Sequence, residues 1–124
     1  MNSIGSSYID LIPLKRDTLG NTEVYKMLIE LFIDGINEYI HTMNTEIKTN
    51  NWEALFQVAH KILPNISMFG IKDLGPIIYE LETDLRNEDN LENIHKNVQS
   101  SLDIFKHVKN ELQTELNLLN DTKI

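Results

Sequence analysis

The chain has 124 residues, 41% of them apolar, no cysteine and a net charge of −8. That length and apolar content suit one domain with one core, and the missing cysteines exclude disulfides and thiolate metal sites. The acidic balance argues against nucleic acid and anionic membrane surfaces as partners, since both select clustered Lys and Arg.

Residues 1–7, Met1-Asn2-Ser3-Ile4-Gly5-Ser6-Ser7, are small and polar and are expected to form a flexible tail. They lack the charged start and apolar run of a signal peptide. Tyr8 to Lys15 carries Ile9, Leu11, Ile12 and Leu14 with Pro13 early. This reads as a short helix or an extended lead-in packed onto the rest. Gly20-Asn21-Thr22-Glu23 is a break followed by a helix start, capped by Asn21 or Thr22. From there to about Lys48, Val24, Leu28, Leu31, Phe32, Ile36, Tyr39, Ile40, Met43 and Ile47 predict a broad apolar helical face.

Thr49-Asn50-Asn51 is a polar break, with Asn51 as the cap of the next helix. Gly70 suits the left-handed residue that ends that helix. A further helix starts near Asp73, where Pro76 is tolerated because it falls in the first turn. Its buried face is Leu74, Ile77, Ile78, Leu81 and Leu85. After a polar turn at 87–90, the last helix runs from about Leu91 to Leu119. Leu91, Ile94, Val98, Leu102, Phe105, Val108, Leu112, Leu116 and Leu119 form its apolar face. No stretch approaches the roughly 18 apolar residues of a membrane span, and no period-two alternation signals a strand. The expected fold is all-α: an antiparallel four-helix bundle over residues 8–120, with a short N-terminal helix or lead-in and flexible ends at 1–7 and 121–124. A monomeric, cytoplasmic protein is expected.

His60 lies on the outer side of its helix. Trp52, Leu55, Ala59, Ile62, Ile66 and Phe69 recur at steps of three and four and make one apolar stripe. At roughly 100° per residue, His60 points about 130° from the middle of that stripe. Glu53, Gln57, Pro64 and Ser67 share its side, and Phe56 and Leu63 lie between it and the stripe. An imidazole presented to water beside two large apolar side chains is a nucleophile with a hydrophobic margin for a partner. The plainer alternative is an incidental surface histidine. Pro64 removes the N–H that would bond to the His60 carbonyl and predicts a kink. It either keeps a long side chain from crowding the imidazole or is a tolerated defect.

Ala59-His60-Lys61, Gly70 ten residues after the histidine, Leu74 and Glu80-Leu81-Glu82 together resemble the histidine phosphotransfer (HPt) domain family. The resemblance extends upstream through Asn51-Trp52-Glu53 to Tyr8-Ile9-Asp10-Leu11 and spans about Tyr8 to Leu119. It implies that His60 takes a phosphoryl group from the aspartyl phosphate of a response-regulator receiver domain and passes it to another. The setting would be a multistep two-component phosphorelay that includes a hybrid histidine kinase. It also implies a carrier rather than an enzyme with its own turnover, without a cofactor of its own, the Mg²⁺ being held by the partner receiver domain. Many family members carry a lysine three residues after the histidine and a glycine four after; here those positions are Leu63 and Pro64. Lys61, about 100° round the helix from His60, and Arg86, on the outer edge of the following helix, remain as phosphate-stabilising candidates. Phe56, Gln57, Leu63, Pro64, Ser67 and Met68 are the expected partner-docking residues. Alternatively Phe56 and Leu63 fill the edge of the core, Leu63 more so than Phe56.

Two other readings compete. A helical adaptor would bind receiver or kinase domains through the Phe56 and Leu63 face without being phosphorylated. A di-iron bundle would use Glu38-Tyr39-Ile40-His41 and Glu92-Asn93-Ile94-His95. The helical periodicity opposes the second, because Glu38 and His41 fall on a polar stripe with Asp34 and Thr45, and Glu92 and His95 on one with Gln99 and Asp103. No metal site is expected. His107 has no comparable setting, and no ATP-binding glycine motif is present.

Overall fold

A computed structural model describes residues 8–121. They form α1 (Ile12–Asp17), α2 (Thr22–Glu46), α3 (Trp52–Met68), α4 (Leu74–Asn87) and α5 (Leu91–Asp121), with a 3₁₀ turn at Ile47–Thr49. There is no strand among the described residues. Residues 8–11 are a lead-in without regular secondary structure, and the short helix α1 follows. The expected flexible tail at 1–7 and residues 122–124 lie outside the described residues. Asp121, expected in the flexible C-terminus, is instead the last residue of α5.

The long helices pack in a ring, α2 on α3, α3 on α4, α4 on α5 and α5 back on α2. Polar pairs fix the directions. Tyr25 bonds Glu115 and Tyr39 bonds Ser101 between α2 and α5, while Asp84 meets Asn93 and Glu80 meets Asn97 between α4 and α5. In both pairs one number rises as the other falls, so the helices are antiparallel. Short connections make the others antiparallel too.

Asn21 caps α2 by accepting from the Val24 N–H at 3.2 Å, and Asn51 caps α3 by accepting from the Ala54 N–H at 3.3 Å. Gly70 follows α3 with φ of 61°. A Cβ there would also lie 2.8 Å from the Asp10 carbonyl oxygen, because the lead-in crosses this loop and Asp10 N donates to Phe69 O. Glycine is required on both counts.

The core fills around Phe32 stacked on Phe69 at 4.3 Å and Tyr39 tilted against Phe105 at 4.7 Å. On α2 the buried face is Tyr25, Ile29, Phe32, Ile33, Ile36, Tyr39 and Met43. Leu31, expected inward, is exposed, as is Leu91. Leu31 lies about 130° from the middle of the buried stripe, and an apolar side chain carries no obligation to be buried. Among the described residues, no helix is long and apolar enough to cross a membrane.

Candidate functional site

The cap at Asn51 and the buried stripe Leu55, Val58, Ala59, Ile62 and Ile66 fix the rotation of α3. That rotation leaves the His60 side chain 64% exposed. α4 runs alongside and presents Glu82, whose side chain is only 8% exposed. Glu82 Oε1 lies 3.1 Å from His60 Nδ1 and 3.3 Å from Arg86 Nη2. The Arg86 guanidinium lies over the Phe56 ring, 5.3 Å from its centroid. The Phe56 ring in turn stacks on the imidazole at 5.7 Å with planes 10° apart. Four side chains thus close a cycle from imidazole to carboxylate to guanidinium to phenyl ring. Each holds its neighbour, so the imidazole is oriented although it faces water.

A carboxylate only accepts hydrogen bonds, so its partner nitrogen must carry the proton. With Nδ1–H donated to Glu82, the Nε2 of a neutral ring keeps a free lone pair on the opposite edge. The second Glu82 oxygen, Oε2, is buried and has no hydrogen-bond partner among the described residues. Glu82 was not singled out in the sequence as part of the site. Its signal was weak but present: it lies four residues after Ile78 and three before Leu85, both buried, so a carboxylate flanks an apolar stripe.

The two candidate cations are placed differently. Arg86 reaches the histidine's own carboxylate, whereas Lys61 turns to α2, its Nζ 3.0 Å from Glu38 Oε1. Glu38, His60 and Lys61 line one open groove between α2 and α3, with Thr42 and Gln57. Gln57 is exposed and donates to Glu53 Oε2 at 2.8 Å. Phe56 and Leu63 are both half-buried against the core, so each fills the core margin and keeps an exposed edge. Pro64 lies within α3 and is exposed. Ser67 and Met68 are exposed near the C-terminal end of the helix, about 10–12 Å along the axis from His60.

The Glu-x-x-His residues Glu38, His41, Glu92 and His95 are all exposed. Among the described residues no group of three His, Cys, Asp or Glu side chains could hold a metal ion. His107 stacks on Tyr8 at 5.5 Å, and the Tyr8 N–H donates to Glu111, so this histidine helps to seat the lead-in.

Comparison with known proteins bears on this geometry. The Hpt domain family profile matches residues 27–121. No curated protein matches the chain. The fold is similar to that of the HPT domain from the Hpt sensor hybrid histidine kinase from Shewanella, with a TM-score of 0.76 and 14% identity over 90% of this chain and 95% of that one.

Proposed function

The chain belongs to the Hpt domain family, phosphotransfer domains of two-component signalling that act as phosphocarriers and interact with receiver domains and kinases, and from that premise we propose that His60 carries the phosphoryl group between receiver-domain aspartates in a multistep phosphorelay. The observation that carries this reading is the Nδ1 contact to buried Glu82, which orients an otherwise exposed imidazole.

In the proposed reaction, the Nε2 lone pair attacks the phosphorus of an aspartyl phosphate. The Nε2–P bond forms, the P–O bond to the aspartate breaks, and the carboxylate leaves with the bonding pair. Nδ1 keeps its proton, so the ring gains positive charge as the bond forms. The Glu82 carboxylate faces that charge, much as a buried aspartate stabilises the imidazolium of a catalytic triad. Onward transfer reverses these bonds with a second aspartate. Phosphoryl transfer asks little covalent chemistry of the protein, and positioning and charge supply most of the acceleration. Arg86, held by Glu82 and Phe56 beside the histidine, is the candidate cation for the phosphoryl oxygens. Mg²⁺ is assigned to the partner receiver domain.

Docking is assigned to the surface around His60: Gln57, Pro64, Ser67, Met68 and the exposed edges of Phe56 and Leu63. Full burial of one large apolar side chain contributes about 1.5–3 kcal/mol, and covering these exposed edges contributes a part of that, which suits a contact that must also release. The test is phosphoryl transfer from a panel of phosphorylated receiver domains to this protein and to His60→Gln. Acid-labile, alkali-stable label is expected on the wild type and not on the variant. Label retained by the variant moves the site elsewhere. Binding without label from any active donor favours the adaptor.

A further inference from the structure

We infer that Glu38 is a positioning residue for phosphoryl transfer at His60: it draws the Lys61 ammonium away from the imidazole and so keeps the carried phosphoryl group weakly held. The inference rests on the phosphocarrier reading of His60. Lys61 and Arg86 are the basic residues of α3 and α4. They are held unequally. Arg86 pairs with Glu82, a carboxylate 8% exposed that also serves the histidine, and lies over Phe56. Lys61 pairs with Glu38 across the open groove that His60 also lines, with the two side chains 71% and 51% exposed.

An ion pair so exposed is weak and screened by salt. A phosphoryl dianion on Nε2 would therefore compete with Glu38 for Lys61, whose stem is long enough to bend back along α3. Arg86 has less freedom, since leaving would strip a buried carboxylate of a partner. Glu38 thus sets how much of the Lys61 charge reaches the phosphoryl group. For a carrier that restraint is useful. A group that must depart again is better met by one steady cation and one shared with a competitor than by two free ones. The Leu63 side chain, half-buried against the core, supplies no further charge.

Phosphoramidate tests this without a partner protein. The Nε2–P bond forms, the donor P–N bond breaks, ammonia leaves and Nδ1 keeps its proton. By ³¹P NMR on the full chain, Glu38→Gln should take up the phosphoryl group about two- to fivefold faster than wild type, the size expected for freeing one exposed ion-pair partner. Glu38→Asp should restore wild-type behaviour. In a Lys61→Met background, Glu38→Gln should change nothing. The ³¹P signal of the phosphorylated protein should titrate at lower pH in Glu38→Gln than in wild type, and this shift should also vanish without Lys61. A merely structural role for Glu38 would not move that titration. Equal rates and titrations for Glu38→Gln and wild type, or a gain that survives without Lys61, overturn the inference and leave the carrier reading intact. No label on wild type, or label surviving His60→Gln, overturns the carrier reading and the inference with it.

Discussion

Helix α4 presents carboxylates to two neighbouring helices, and the two seams treat them differently. Toward α5, Asn93 donates to Glu80 and Asp84 and Asn97 donates to Glu80, each at 2.8 Å. Those donors are neutral amides whose protonation never changes, and they hold the Glu80 carboxyl below its ordinary range. Toward α3, Glu82 meets an imidazole and a guanidinium at one oxygen, and its other oxygen is buried with no hydrogen-bond partner among the described residues. The imidazole is exposed and, in the proposed transfer, gains charge. A carboxylate met by amides keeps two helices in register. One met by an imidazole has a partner whose charge the carboxylate can follow.

The sharpest way to break this distinction is Glu82→Gln. It keeps an acceptor for Nδ1 and removes the charge. Phosphoryl uptake should fall about tenfold, the loss of one charge-assisted contact of ~1.5 kcal/mol. The urea midpoint should move little, because removing a buried charge offsets the lost pairing. Single-turnover labelling beside an unfolding curve measures both. A wild-type rate would reduce Glu82 to a structural residue like Asp84.

Asn93→Ala attacks the other seam. It leaves the Asp84 oxygen without that donor while Glu80 keeps Asn97. Stability should fall by about 1–3 kcal/mol, the cost of a buried acceptor left unsatisfied. Labelling per folded molecule should not change. A slowed label would mean that the α4–α5 seam sets the position of Glu82, and the two flanks would no longer be separable.

Much of this was legible in the chain. Asn21, Asn51 and Gly70 mark helix ends by side-chain chemistry that acts locally, and the structure uses all three. The exposure of His60 followed from its angle to the Leu55, Ala59, Ile62 and Ile66 stripe. The failures have a common physical source. Leu31 and Leu91 are apolar in composition and wet in fact, because burial depends on which side of a helix its neighbours take. Glu82 needs the register of α3 against α4, set through a loop whose left-handed Gly70 is pinned by Asp10. Choosing between Lys61 and Arg86 needs the same kind of information. The Arg86–Glu82 pair is local, one turn apart on α4, but that it sits beside His60 depends on α3 against α4, and that Lys61 finds Glu38 depends on α3 against α2.

The smallest expected effect is also the most discriminating within the α3–α4 seam. Phe56 touches both partners of Glu82, the imidazole on its stacked face and the guanidinium 5.3 Å from its centroid. Phe56→Leu keeps most of the apolar volume, so the core margin stays filled. It removes the ring that attracts Arg86, a contact of about 0.5–1 kcal/mol at an exposed site. Phosphoryl uptake should therefore fall about two- to fivefold, less than for Glu82→Gln. The double variant separates two ways this arises. If the ring works by steering Arg86 toward Glu82, removing it after Glu82→Gln adds nothing, because that contact is already lost. If the ring works as a wall against which the imidazole rests, the two losses multiply, as independent contributions do. A full wild-type rate in Phe56→Leu would leave Glu82 to orient the histidine alone, and Phe56 would belong with the core rather than the seam.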